Sequence, residues 1–377
     1  MDFDLGEEQS ILKDTLRRYL KDHYSFEQRR RALRAEPDAQ DLWPGLAELG
    51  LLGAPFALER GGYGGGAVEA MVVMEALGEA LVCDAWNESV LLCGRLLEGI
   101  GTPSAAALLS GLIAGTHRLA LAHWESGARR DLSAVSTRAV SEGEGWRLNG
   151  AKSLSIGAPH ASHLLVTART ANATRDEHGL SLFCVPIDAP GLTLRPLRMI
   201  DDRACADIVF DEVQLPASAL LGPRDQAFPA LAEAHEAYCA ALCAEALGVL
   251  SRLYEDTVEY TAQRRQFGQP LSRFQVLQHR LVDMRIQLEL ACAASLHATL
   301  HLARPPAERR RALGAAAIVV VEALRFVGEN AVQLHGAMGL TDELAVSHYF
   351  RRATVLIEQL GGRDHLLAEQ AKALRAA

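Results

Sequence analysis

The chain has 377 residues, 49% of them apolar and 23% charged, enough apolar mass for two or three packed units with a large core. That balance excludes a disordered or fibrous protein. A formal charge of −9 argues against a broad nucleic-acid footprint, although a polyanionic ligand could still sit on a local basic patch or a helix N-terminus.

The first residues are acidic and amphipathic, which does not fit a signal peptide. Asp4 and Glu7 suit a capping box, followed by Ile11, Leu12, Leu16, Tyr19 and Leu20 at helical spacing. A second helix is expected at about 41–51. The breaker-rich loop of 58–66, with Gly61, Gly62, Gly64, Gly65 and Gly66, reads as a connector. It is not a phosphate-binding motif, because no strand–loop–helix pattern surrounds it. Helices are then expected over 68–81, 88–97 and 103–113. From 119 to about 221 the pattern changes to short β-rich runs between turn residues, with strands expected at 119–123, 133–140, 145–148, 163–168, 180–186, 192–196 and 206–213.

Helical periodicity returns over 227–263, 272–303 and 307–336, with a shorter stretch after Ala345. Pro305 and Pro306 break the chain between two long helices. Helices, a compact β segment, then helices again indicate an α+β protein and not alternating βαβ units. We divide it at 1–117, 118–222 and 223–377. No apolar run reads as a membrane span. The seven cysteines (83, 93, 184, 205, 239, 243 and 292) are scattered and odd in number. They read as reduced thiols, which suits a cytoplasmic protein.

The most specific stretch runs from Tyr260 through Arg264, Gln266, Phe267, Gly268 and Pro270 to Gln278. A second runs from Gln333 through His335, Gly336 and Gly339 to Glu343. Both resemble the acyl-CoA dehydrogenase family, as do Leu42 to Leu51, the glycine loop, and the Leu148-Asn149-Gly150-Ala151-Lys152 run. The resemblance covers nearly the whole chain. It implies a helical N-terminal domain, a middle β-barrel-like domain and a C-terminal four-helix bundle.

It also implies FAD as cofactor, an acyl-CoA substrate undergoing α,β-desaturation, and an electron-transfer flavoprotein as electron acceptor. By that resemblance Arg264 and Phe267 would reach the FAD of a neighbouring subunit. Gln333 and Gly336 would pass along its pyrophosphate, and Thr137 would stand beside the flavin. A guanidinium fork suits phosphate oxygens, and glycine lets backbone N–H groups approach them. On the residues alone, Arg264 could instead cap a helix C-terminus, and Gly336 could be a helix C-cap. His335 reads as a packed, hydrogen-bonded residue.

The family's chemistry needs a base for the α-proton, best supplied by a carboxylate in a dry pocket. The two usual base positions hold Leu360 and Tyr238, and neither serves that purpose at neutral pH. Other departures are Trp124-Glu125-Ser126, Arg129-Arg130-Asp131 and Leu154-Ser155-Ile156 at flavin-facing segments. Glu236 and Cys239 stand where the family places an Asp and an Arg near CoA, and Ala337 replaces a glycine. Ala122–Leu132, Ala241–Gly248 and His348–Arg352 resemble the small subunit of two-subunit members such as pimeloyl-CoA dehydrogenase. This implies a homologous partner chain that carries the base.

Two alternatives stand beside this reading. One is a self-sufficient homo-oligomer using Glu245, which shares a helix face with Tyr238, although a buried structural ion pair is the favoured role for Glu245. Glu343 is a weaker base candidate. The other alternative is a non-catalytic structural or regulatory subunit. A dicarboxyl-CoA and a bulky polycyclic acyl-CoA are both open as substrates.

Overall fold

A computed structural model describes residues 5–34, 41–128 and 130–376; Asp4 and Arg129 of the sequence motifs lie outside them. The chain forms two compact units.

The first unit contains residues 41–66 and 83–238. It holds α3 (Trp43–Glu48), a π-helical turn at Asn87–Cys93, α5 (Gly94–Ile100) and α6 (Pro103–Ile113). Helix α6 starts as its sequence dictates: the Thr102 hydroxyl accepts the Ala105 N–H at 3.4 Å, with Pro103 at the first helical position. The helix expected from residue 88 is therefore wound as π and then α, and all seven residues of the π turn are buried.

Eight strands follow: β1 (Leu119–Ala122), β2 (Arg138–Glu142), β3 (Gly145–Ile156), β4 (His163–Arg169), β5 (Leu180–Pro186), β6 (Leu192–Arg198), β7 (Ala204–Pro216) and β8 (Leu220–Leu221). They form one sheet in the order β6-β7-β3-β2-β4-β5-β8, with β1 parallel on β4. Leu148, Leu164, Val166 and Phe183 are fully buried on it, and Trp146 meets Phe183 edge-on at 5.3 Å.

Two strand expectations need correction. The strand expected at 133–140 begins only at Arg138, because side chains take the preceding backbone donors. Asp131 accepts the Ser133 N–H at 2.9 Å, and Glu125 accepts those of Ser136 and Thr137 at 2.7 and 2.9 Å. The strand expected at 145–148 runs on to Ile156. Its Asn149-Gly150 pair forms a bulge against β7 and not a turn. Gly150 has φ +145°, and a Cβ there would lie 2.6 Å from the Thr137 hydroxyl.

The second unit contains residues 5–34, 67–82 and 239–376. It comprises α1 (Glu7–His23), α2 (Phe26–Leu33), α4 (Ala67–Glu79), most of α7 (Phe228–Gln263), α8 (Gln275–His301), α9 (Pro306–His335), α10 (Ala345–Leu360) and α11 (Arg363–Ala376). A short hairpin of β9 (Arg265–Gln266) and β10 (Gln269–Pro270) joins α7 to α8. At the start of α1, the Gln9 side chain accepts the Gly6 N–H at 2.9 Å.

Helix α7 corrects the membrane expectation in part. By length and composition alone it could cross a membrane, but 72% of its most apolar window is buried within the protein. Helices α4 and α7 approach backbone to backbone. A Cβ on Gly78 would sit 2.3 Å from the Glu245 carbonyl oxygen, and one on Gly248 would sit 2.1 Å from that of Glu75. Gly248→Ala should therefore cost about 3 kcal/mol, read as a fall in the urea midpoint at unchanged m.

Candidate active site

In the sheet-containing unit, four elements converge on a cleft. Leu154 and Ile156 alternate onto one face of β3, and the end of β1 leads into His123 and Trp124. The first turns of α7 present Leu231, His235 and Tyr238 at helical spacing, while the π turn supplies Glu88 and Leu92. Leu154 has φ +52° and is 54% exposed, a left-handed conformation that costs energy for a branched side chain. Its N–H donates to Asp207 at 3.0 Å. The rings form a chain through the cleft: His123 to Trp124 at 4.9 Å, Trp124 to His235 at 5.9 Å, and His235 to Tyr238 at 6.1 Å.

The polar groups of the wall are tied in. The Tyr238 hydroxyl donates to Glu88 Oε1 at 3.1 Å, and Arg203 approaches the same oxygen at 3.5 Å. All three side chains are buried. Behind His123, the fully enclosed Lys152 ammonium donates to Glu125 at 2.7 Å, to the His123 carbonyl at 3.1 Å and to the Thr167 hydroxyl at 3.3 Å. Burial alone would raise the Glu125 carboxyl. The Lys152 charge, with hydrogen bonds from Lys152, Ser136 and Thr137, instead lowers it to about 2. Burial, with Lys152 adding to it, holds the His123 imidazole well below its ordinary range, and burial lowers His235 to about 4. Both rings are neutral at pH 7. Thr137 is buried, and its hydroxyl faces the Ala151 carbonyl at 3.4 Å.

In the helical unit, Glu245 is 2% exposed and meets Arg352 of α10 fork to fork, accepting Nε at 2.7 Å and Nη2 at 2.8 Å. Leu360 is the buried last residue of α10. Glu343 is exposed. The His348–Arg352 motif is structural at both ends. His348 Nδ1 lies 2.9 Å from the Arg29 guanidinium and 2.8 Å from that of Arg351, so this nitrogen is the acceptor.

The structure brings the two long motifs together. Tyr260, one turn before Arg264, stacks on His335 at 4.2 Å and donates to its carbonyl at 3.3 Å. His335 is buried, with Nδ1 2.8 Å from the Ala331 carbonyl oxygen. Arg264 and Gln333 are exposed. No hydrogen bond engages the Arg264 guanidinium among the described residues. Phe267, at the tip of the β9–β10 hairpin, has φ +52° and is 90% exposed. Gly336 ends α9 at φ +60° and ψ −142°, a region restricted to glycine.

An unengaged guanidinium, an amide, an open ring and a bare glycine backbone on one unit match the donors a dinucleotide requires: a fork and N–H groups for pyrophosphate, and a face for a ring. The cleft residues Glu88, His123 and His235 escaped the sequence reading. The signal for Glu88 was a lone carboxylate followed by the apolar run Val90-Leu91-Leu92-Cys93.

Comparison with known proteins identifies the family. The family descriptions "Acyl-CoA dehydrogenase, N-terminal domain", "middle domain" and "C-terminal domain" match residues 6–115, 120–213 and 236–372. The mitochondrial short-chain specific acyl-CoA dehydrogenase of Homo sapiens is 28% identical over 333 residues, covering 85% of this chain and 80% of that protein. A chain of the ChsE4–ChsE5 complex from Mycobacterium tuberculosis superposes with a TM-score of 0.87 at 26% identity, covering all of both chains. A variant of the Tcur3481–Tcur3483 steroid ACAD gives a TM-score of 0.86 at 29% identity over 99% of each chain. With all three domains matched in order, this chain belongs to the acyl-CoA dehydrogenase family.

Proposed function

We propose that this chain is one subunit of a heteromeric acyl-CoA dehydrogenase, sharing active sites with a homologous chain that carries the catalytic glutamate. It is an FAD-dependent oxidoreductase acting on an acyl-CoA thioester. When bound, FAD supplies the two-electron acceptor for α,β-desaturation, and an electron-transfer flavoprotein takes the electrons onward.

One observation carries the division of labour. The usual base positions hold Leu360 and Tyr238, and Glu245 is locked onto Arg352. Yet Arg264, Phe267, Gln333 and Gly336, which would act across a subunit boundary, all stand exposed. Val282, Ile286 and Leu290 are about half exposed at four-residue spacing along α8, an apolar stripe suited to a second chain. The likeness to the ChsE4–ChsE5 complex and to a steroid ACAD supports the same reading. In this role Arg264 would hold pyrophosphate oxygens, Phe267 would cover the nucleotide, and Thr137 would stand beside the flavin. A cytoplasmic location fits the seven free thiols.

The test is flavin absorbance of the chain purified alone and with its homologous partner. A colourless chain that turns yellow only in the complex supports a shared site. A chain that is yellow alone and bleaches on anaerobic addition of acyl-CoA overturns it. Arg264→Ala should weaken FAD retention by the complex about tenfold or more, and unchanged retention removes Arg264 from the site.

A further inference from the structure

We infer that the cleft lined by Glu88, His123, His235 and Tyr238 receives the acyl group, and that it selects one bearing a neutral oxygen, a hydroxyl or keto group. This rests on the acyl-CoA reading above and narrows its substrate class.

The selectivity follows from how each wall group is held. His123 is 2% exposed, and its Nδ1 lies 2.9 Å from the Thr167 hydroxyl, which itself accepts from Lys152 at 3.3 Å. With its oxygen facing the ammonium, Thr167 has its one proton free to donate to Nδ1. That fixes the imidazole tautomer with N–H at Nε2. Among the described residues no group takes this N–H, and His123 lines the cleft. The cleft therefore offers a fixed neutral donor, which suits a hydroxyl or carbonyl oxygen.

The opposite wall disfavours charge of either sign. Glu88 is 3% exposed, with Arg203 Nη1 3.5 Å from its Oε1. Together the two side chains present no net charge, so a ligand carboxylate or ammonium would shed its hydration there without gaining a counter-charge. Burial keeps His235 neutral, so it adds no cation to attract an acid. The remaining lining, including Leu92, Leu121, Ile156 and Leu231, takes hydrocarbon. The π turn is a second mark of a ligand site. It places Glu88 inside the cleft with a non-standard winding that recurs where function requires it. A dicarboxyl thioester is thereby the poorer fit, and an oxygenated, mostly hydrocarbon acyl group the better.

Isothermal titration of the full-length chain, assembled with its homologous partner and FAD, with ω-hydroxyhexanoyl-CoA, hexanoyl-CoA and adipyl-CoA tests this. The hydroxyacyl thioester should bind about tenfold more tightly than hexanoyl-CoA, with adipyl-CoA weakest. His123→Phe should bring the hydroxyacyl preference close to one. Glu88→Gln, nearly isosteric and leaving Arg203 with Asp201 at 4.0 Å, serves if the ring replacement fails to fold and should narrow the gap between adipyl- and hexanoyl-CoA. Equal binding of the three, a hydroxyacyl preference that survives His123→Phe, or an unchanged adipyl gap in Glu88→Gln overturns the proposal and leaves the acyl-CoA reading standing. The converse is visible with hexanol and hexanoate, which carry no CoA. If no thioester binds but hexanol raises Tm, hexanoate does not, and His123→Phe removes the effect, the cleft's selectivity stands and the acyl-CoA reading falls. No thioester binding and no alcohol-specific shift overturns both.

Discussion

Glu245→Ala should lower unfolding free energy by about 3–5 kcal/mol, because it strands the Arg352 guanidinium in the core of the helical unit. Replacing both partners, Glu245→Met with Arg352→Met, should recover most of that loss, since two apolar side chains leave no orphaned charge. Urea unfolding of the three variants reads this directly. A catalytic base behaves otherwise. It would leave stability nearly unchanged in Glu245→Gln, abolish exchange of the substrate α-proton, and gain nothing from a change at Arg352. That outcome would return the base to this chain and remove the need for a partner's glutamate.

Lys152→Met should cost about 3 kcal/mol or more, through the same physics in the sheet-containing unit. It strips Glu125 of its cation and removes donors to the His123 carbonyl and to Thr167. The pH dependence has a defined sign. Glu125 titrates at about 2 in the folded chain against an ordinary 4.5. Its stabilising contribution is thus complete above about pH 4.5 and is lost as pH falls towards 2. Between pH 7 and pH 3 the wild type should lose more stability than Glu125→Gln, measured by chemical unfolding at each pH. Equal losses would show that this carboxylate gains nothing from its surroundings. Because Lys152 also fixes the Thr167 hydroxyl, the substitution should weaken the hydroxyacyl preference of the cleft along with stability.

The long helices and most strands were legible because their apolar residues repeat at the period of the element that buries them. Helix α2 was not. Its sequence Phe26-Glu-Gln-Arg-Arg-Arg-Ala-Leu33 has few apolar residues, and its buried member is Arg29, 1% exposed and donating to the Leu81 carbonyl at 3.1 Å. A hydrophobic pattern cannot register a buried arginine. The local signal was the cap, where Ser25 and Gln28 bond reciprocally. The strand expected at 145–148 fell short in another way, since an Asn-Gly dipeptide serves a turn or a bulge and only the partner strand decides which.

The site divides along similar lines. Arg264, Phe267 and Gln333 were legible as candidates because they sit in contiguous motifs. Glu88, His123, His235 and Tyr238 come from three elements spread over about 150 residues, and the contact between Glu88 and Tyr238 exists only once the unit has folded. The reverse holds for His348–Arg352. Its sequence pointed to a subfamily, and its geometry shows a hydrogen-bond cluster around His348 and a buried ion pair at Arg352.

A π turn such as Asn87–Cys93 is what an α-helix becomes when one residue is inserted and the flanking turns keep their register. Removing a single residue there would let the segment rewind as α and swing the side chains ahead of the deletion about 100° around the axis. Glu88 would leave the cleft without being mutated. Chain length at this one turn therefore offers evolution a way to exchange a polar acyl pocket for an apolar one in a single event, which no count of substitutions between relatives would reveal.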